Sequence, residues 1–188
     1  MSADQNRESP PDQRLSYLIF GFAWLLGYGA FALAEGADPL VPDSVAAVLL
    51  FGGLLAGLVV TAAAIVKGGV RGALTGNLLA GAWVIGFAAL SVLIWALSTA
   101  LDEPQVQTLL WPPGAGLVVG MLYLTGGIAY RDLPQYVLGV WLAMASAVAL
   151  CFAGAGLYWV LAVAGGGGYL AAAVAGKATR RGGRAQLL

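Results

Sequence analysis

The longest stretch without a charged side chain runs from Leu133 to Gly176 and contains no Asp, Glu, Lys or Arg. As one helix, these 44 residues would extend roughly 66 Å at about 1.5 Å per residue. The hydrocarbon core of a bilayer is only about 30 Å thick. The stretch therefore predicts two consecutive membrane crossings. A turn at Gly154–Gly156 divides it into two nearly equal spans, at Leu133–Gly154 and Leu157–Gly176.

The rest of the chain follows the same pattern. It is 60% hydrophobic and 10% charged, whereas soluble domains carry about 25% charged residues. A backbone in lipid must pair its polar groups internally, as a helix or a closed barrel, and the apolar runs do not alternate as barrel strands do. We predict an all-α, polytopic membrane protein with six transmembrane helices. The other four spans are Leu15–Leu33, Val45–Val66, Ala73–Leu97 and Pro113–Tyr130.

The spans define the domain organisation. We predict a disordered polar tail at residues 1–13, a six-helix domain at 14–176 and a basic cytoplasmic tail at 177–188. An alternative is that the first span is a cleaved signal peptide, because Ala32 and Ala34 fit a cleavage site. The acidic residues among positions 1–14 and the long, aromatic apolar run favour a retained helix instead.

The distribution of charge predicts the orientation. Lys and Arg accumulate in the cytoplasmic loops of membrane proteins, and an arrangement with both termini inside places every basic residue on that side. The outer loops then carry only acids. The predicted location is a bacterial cytoplasmic (inner) membrane, since a composition rich in Ala, Gly, Val and Leu suits a high-GC bacterial genome. The outer acids are Glu35, Asp38, Asp43, Asp102 and Glu103.

Four consecutive glycines lie near the middle of the sixth span. Because four residues cover slightly more than one helical turn, side chains are missing on every side. In one interpretation, neighbouring helices approach from several directions. In the other, the helix bends or unwinds and lines a cavity, as in the broken helices of transporters. The run is thus a candidate midplane binding or helix-break site, formed by Gly165, Gly166, Gly167 and Gly168.

Two segments of the chain resemble each other. LIFGFAWLLGYGAF (18–31) and LVVGMLYLTGGIAY (117–130) share five identities in 14 positions, among them Gly21 with Gly120 and Gly27 with Gly126. If spans one to three correspond to spans four to six, the halves cross the membrane in opposite directions, which is the 3+3 inverted repeat of many transporters. The alternative is a chance match between segments of similar composition.

The spans lack the residues of most catalytic chemistry. None has Asp, Glu, Lys or Arg in its interior, and the chain has no His and a single cysteine, Cys151. Proton relays, zinc sites and His-based nucleophilic catalysis need such groups. We therefore expect no enzyme activity, no catalytic residues, no cofactor and no metal. The most polar intramembrane residue is Asn77, expected to make an interhelical hydrogen bond or to contact substrate.

These features favour a non-catalytic function in the membrane. The leading hypothesis is a permease-like or transport-accessory protein. The alternatives are a protein that binds a lipid or other apolar small molecule within the helix bundle, and a structural scaffold for a partner protein. The expected partners are the lipid bilayer and either a second copy of the chain or another membrane protein, with no nucleic acid.

Overall fold

The computed structural model describes residues 14–35, 38–67 and 74–175, with the backbone alone for 64–67. The predicted tails and Gly176 lie outside these residues. All secondary-structure elements of the described part are helices, as predicted. We number the helices in chain order: α1 Arg14–Ala34, α2 Asp43–Lys67, α3 Leu74–Leu101, α4 Gln105–Tyr130, α5 Leu133–Ala149 and α6 Ala155–Ala175.

The helices have the length and composition of membrane spans. Five of them contain a sufficiently long and apolar segment, and α5 is a shorter apolar helix of 17 residues. Large apolar side chains cover the outside of the bundle, for example Val48 on α2, Val84 on α3 and Val163 on α6, each at least 60% exposed. Such a surface suits a lipid environment, so the chain is a helical membrane bundle of about six helices.

Helix α4 extends further than the sequence indicates. It begins at Gln105, eight residues before the predicted start of the span, so Pro112 and Pro113 lie inside the helix. Each proline lacks the N–H that would bond to the carbonyl four residues earlier. Because these carbonyls belong to the first turns of the helix, the loss stays close to its end.

A two-residue connection joins α4 to α5. Arg131 adopts a left-handed conformation with φ 54°, and the N–H of Asp132 donates to the carbonyl of Gly127 at 2.8 Å, as in a Schellman cap. The Asp132 carboxylate then accepts the N–H of Gln135 at 3.1 Å and caps the start of α5. This tight turn makes α4 and α5 antiparallel neighbours.

The turn between α5 and α6 lies at residues 150–154. Helix α5 ends at Ala149, and Gly154 precedes α6 with φ 54° and ψ −133°. This conformation strains any residue with a Cβ, so glycine is required there. The end of the turn coincides with the beginning of the predicted Gly154–Gly156 turn.

The helices pack in the order α2, α1, α6, α5, α4, α3 around the bundle. The two closest pairs are α1 with α2 and α4 with α5. Helix α6 lies between α1 and α5, while α3 packs on α4 and has only two buried residues, Ile94 and Ser98. The core is therefore formed mainly by α1, α4, α5 and α6, and α2 and α3 are peripheral.

Glycines allow the closest helix contacts. A methyl group on Gly120 would lie 2.6 Å from the backbone N of Ala143 and 2.9 Å from the carbonyl O of Gly139. On the α1–α2 side, a methyl group on Gly53 would lie 2.5 Å from the Cβ of Ala23. Gly53 forms a GxxxG pattern with Gly57, and Gly120 forms one with Gly116. These small residues permit close backbone approach, as small-xxx-small motifs do in membranes.

Candidate functional site

The glycine run lies in a locally widened part of α6. Residues Leu161–Gly166 form a π-helical segment that includes the first two glycines. The backbone is again α-helical at Gly167, with φ −59° and ψ −40°. At the predicted midplane site, the helix is thus wound more loosely and remains helical on both sides. π-Helical turns are rare, and they occur frequently at functional sites.

A tryptophan of α5 binds to this π-helical segment. The indole N–H of Trp141 donates to the carbonyl oxygen of Ala164 at 2.7 Å. The Trp141 ring also covers the place where Gly168 would carry a Cβ. Because hydrocarbon offers the indole no other acceptor, this bond satisfies the polar group of an otherwise apolar side chain. It connects α5 to α6 near the middle of the latter.

Three of the four glycines contact neighbouring helices, each in a different way. A Cβ on Gly165 would overlap the Trp24 ring, and one on Gly168 would overlap the Trp141 ring. A Cβ on Gly166 would lie 2.9 Å from the carbonyl O of Gly21, in the backbone of α1. Gly167 differs, because no other atom lies within 4 Å of its Cβ position. The run therefore accommodates α1 and α5 at three positions and leaves one position open.

A buried aromatic cluster surrounds the next residue, Tyr169. Its side chain is 2% exposed, and its ring centroid lies 5.8 Å from that of Trp24, 5.7 Å from that of Tyr123 and 6.2 Å from that of Tyr17. The cluster thus joins α1, α4 and α6 in the core. Sequence analysis missed it, although Tyr17 and Trp24 are seven residues apart and so lie on one face of α1.

Aromatic contacts continue along α1 toward its C-terminus. Tyr158 of α6 stacks on Phe31 at 5.5 Å and on Tyr28 at 6.4 Å between ring centroids. Tyr28 in turn makes an edge contact with Trp24 at 5.2 Å. From Tyr17 to Phe31 this aromatic column extends over about 21 Å of helix, by the usual rise per residue.

Asn77 lies apart from the glycine run. It is exposed near the start of α3, and its side chain makes no hydrogen bond within the described part of the chain. Helix α3 packs on α4 and has no extended contact with residues 155–166 of α6. The two groups of residues singled out in the sequence are therefore not brought together, and a substrate contact by Asn77 stays a prediction.

The polar groups that are buried between helices are few. Ser146 of α5 is 1% exposed, and its hydroxyl has no hydrogen-bond partner among the described residues. It faces Gly116 of α4, where a Cβ would overlap the hydroxyl oxygen.

Across residues 14–35, 38–67 and 74–175, no three His, Cys, Asp or Glu residues come close enough to hold a metal ion. The groups near the glycine run are therefore aromatic ring faces and a few hydroxyls, since the indole N–H of Trp141 already donates to the carbonyl of Ala164.

The surface of the bundle has a groove between α1 and α2. It has a volume of about 410 Å³ and an almost wholly apolar lining that includes Leu15, Phe22 and Leu26 of α1 and Leu49 of α2. From Leu15 to Leu26 it follows α1 for about 16 Å, which is close to the thickness of one leaflet of the hydrocarbon core.

Comparison with protein-family models, with curated proteins and with solved structures finds no match for this chain.

Proposed function

We propose that this chain is a non-catalytic, permease-like protein, or the membrane component of a transport system, that acts on a small uncharged solute. The observation that carries the proposal is the π-helical segment of α6. It departs from regular helix geometry in the middle of a span and is connected to α5 by the bond from Trp141 to Ala164. Transporters commonly place substrate sites at irregular helix segments near the bilayer midplane.

The chemistry of the surrounding residues supports an uncharged solute. The described spans hold no Asp, Glu, Lys or Arg in their interior, so a buried charge would have no ionic partner and would be costly. The groups that surround the glycine run are the aromatic rings of α1 and α6 and the indole of Trp141. Such a lining suits stacking and single hydrogen bonds.

We further propose that both termini face the cytoplasm of a bacterial cell and that the host membrane is the cytoplasmic membrane. Arg14 begins α1, and Arg131 follows α4. The contact of the Tyr17 and Tyr123 rings at 6.0 Å supports placing these basic residues at the same end of the bundle. Glu35, which follows the other end of α1, approaches Gly154 beside the opposite turn. This separation of charge agrees with the positive-inside rule.

Flux through purified protein tests the transport proposal. In proteoliposomes, stopped-flow light scattering over a panel of small uncharged solutes should show at least one that crosses faster than in protein-free vesicles. Replacing Trp141 by leucine should reduce that flux about ten-fold or more, because the contact with the π-helical segment is lost. Met144→Leu, at a lipid-exposed position of the same helix, is the matched control and should retain it. If no solute crosses faster than in empty vesicles, the chain alone is not a permease.

A second candidate function, lipid binding, is favoured by the groove between α1 and α2. Its length suits one acyl chain, and Arg14 lies beside its end at Leu15. Ile19 lines this groove, so Ile19→Trp should fill it and reduce co-purified phospholipid in native mass spectra several-fold. Val84→Trp, on the exposed face of α3, should leave the lipid signal unchanged. An apo mass for the wild-type protein would contradict lipid binding, and a co-purified protein would favour the scaffold hypothesis.

A further inference from the structure

The two halves of the bundle pack in a related way. In the first half α1 pairs closely with α2, and in the second half α4 pairs closely with α5. Helix α1 also packs on α6, and α4 packs on α3. If α1, α2 and α3 are exchanged with α4, α5 and α6, the α1–α2 contact becomes the α4–α5 contact. The α1–α6 contact becomes the α4–α3 contact. The structure contains all four contacts.

The registers of the two hairpins agree as well. The sequence match pairs Gly21 with Gly120, a shift of 120 − 21 = 99 residues. Gly53 of α2 faces Ala23 of α1, whereas Gly139 of α5 faces Leu124 of α4. If Gly53 of α2 corresponds to Gly139 of α5, the shift for this helix is 139 − 53 = 86 residues. The shift of 99 residues for α1 places Ala23 at position 122, which is two residues from Leu124, the observed neighbour of Gly139.

The contacts of α6 with α1 correspond to those of α3 with α4. Gly165 faces Trp24, and Trp83 contacts Tyr123, the position equivalent to Trp24, with ring centroids 6.5 Å apart. This relates α3 to α6 by 165 − 83 = 82 residues. The same shift relates the Phe31–Tyr158 contact to the approach of Tyr130 to Gly76. It also aligns identical residues: Leu79 with Leu161, Ala80 with Ala162, Ala82 with Ala164, Gly86 with Gly168, Ala89 with Ala171 and Val92 with Val174.

The equivalent pairs carry different residues. On the α1–α6 side, Trp24 of α1 faces Gly165. On the α4–α3 side, Tyr123 faces Trp83 with ring centroids 6.5 Å apart. The glycine thus leaves room for the larger indole of Trp24, whereas the smaller ring of Tyr123 packs beside a tryptophan.

The halves differ at one pair of helices. Helices α5 and α6 are packed together, and Leu138, Leu142 and Ala149 of α5 are 3% exposed or less. Helices α2 and α3 have no extended contact with each other among the described residues. The positions on α2 that correspond to those three, by the shift of 86, are all exposed: Gly52, Ala56 and Ala63.

A hydrogen bond connects α5 to α6 and has no counterpart between α2 and α3 among the described residues. Trp141 holds α5 to the carbonyl of Ala164. The equivalent positions are Leu55 (141 − 86) and Ala82 (164 − 82). Leu55 has no donor and is 63% exposed. The α2–α3 side therefore lacks the bond that connects α5 and α6.

We infer that the chain is an inverted repeat that exchanges between two states, the described one with α5–α6 closed and α2–α3 apart, and a second with α2–α3 closed and α5–α6 apart. Because the halves share their helix contacts, the second state repeats the contacts of the first with the halves exchanged. The bond from Trp141 to Ala164 favours the described state. The inference goes beyond the proposed transport function, since the exchange needs no solute and is tested without one.

Cross-linking traps the second state. In a Cys151→Ala background, Leu55→Cys with Ala82→Cys places thiols at the positions equivalent to Trp141 and Ala164. A short bifunctional methanethiosulfonate should cross-link this pair in proteoliposomes well above the single-cysteine background. Leu55→Cys with Val84→Cys is the matched control, because Val84 has a similar depth but points away by about 200° of helix rotation. Both variants should elute like the parent protein. If Ala82→Cys reduces the yield of purified protein, Val48→Cys with Ala89→Cys replaces this test pair. Each of these positions lies seven residues from the original one and so on the same face of its helix.

Loss of the hydrogen bond gives the second result. Trp141→Phe keeps the ring but removes the indole N–H. It should increase cross-linking of the Leu55/Ala82 pair about three-fold, the population change that corresponds to a typical interhelical hydrogen bond in a membrane. The inference is overturned if the test pair cross-links no faster than the Leu55/Val84 control, or if Trp141→Phe leaves the rate unchanged. Cross-linking without solute flux would support the exchange and reject the transport proposal.

Discussion

Replacing Gly139 by valine is expected to prevent the close pairing of α4 and α5. A Cβ at this position would overlap the backbone N of Leu124 and lie 2.7 Å from the carbonyl O of Gly120. Backbone atoms cannot move aside as the end of a side chain can, so the helices must separate. We expect a loss in the free energy of unfolding of about 3 kcal/mol or more, the upper end of the cost of overpacking. Thermal unfolding in detergent, followed by circular dichroism, measures it.

The matched control for this substitution is Gly81→Val on α3. No atom lies within 4 Å of the Cβ position of Gly81, so valine meets no neighbour there. The change should stay within about 1 kcal/mol, the range of helix propensity. Equal destabilisation by the two variants would contradict the close α4–α5 contact.

Alanine substitutions within the glycine run are expected to have effects of opposite sign. Gly166→Ala places a methyl group 2.9 Å from the carbonyl O of Gly21 and 2.9 Å from the N of Leu25, so α1 must shift. We expect a loss of about 1–3 kcal/mol. Gly167→Ala meets no atom within 4 Å and should stabilise the helix by up to about 1 kcal/mol, because alanine loses less backbone entropy than glycine.

Reversible unfolding of both variants in the same detergent gives the difference between them. Because the two positions are adjacent, their depth in the membrane hardly differs. The direction of the Cβ changes, toward α1 at the buried Gly166 and into open space at Gly167. A neutral Gly166→Ala would show that α1 does not pack on the run as described, and a destabilising Gly167→Ala would show that its Cβ position is not open.

The number and class of the helices could be predicted from the sequence because both follow from chain length and lipid thickness. The 44-residue run of apolar residues up to Gly176 is too long for one crossing, and the structure places two helices in its described part. The start of α4 was harder to predict. Pro112 and Pro113 are typical of the beginning of a helix, and the predicted span began at Pro113. The helix continues back to Gln105, because the carbonyls that the two prolines leave without a backbone partner lie in its first turns.

The detail of the glycine run depends on information that the sequence does not contain. Which neighbour each glycine faces is set by the order of helices around the bundle and by the π-helical segment, which shifts the register within α6. The difference between Gly166 and Gly167 therefore could not be predicted. Trp141 illustrates the same point, since its partner, the Ala164 carbonyl, is a backbone atom 23 residues away.

The proposed inverted repeat has only partial support in the sequence. Five identities between residues 18–31 and 117–130 favour it, but segments rich in Leu, Ala and Gly also align by chance. The proposed correspondence of α3 with α6 has no such sequence signal at its central position, because Trp83 stands where α6 has Gly165. It rests on the contacts of these two residues with Tyr123 and Trp24.

Spin-label distances measure the proposed exchange between the two halves in the membrane. One pair of labels at Met144 and Val163 reports on α5–α6, and the equivalent pair at Leu58 and Gly81 reports on α2–α3. In proteoliposomes we expect a short main distance for the first pair and a long one for the second. In Trp141→Phe, the long population of the first pair and the short population of the second should grow together. One unchanged distance for each pair, in both proteins, would show that the halves do not exchange.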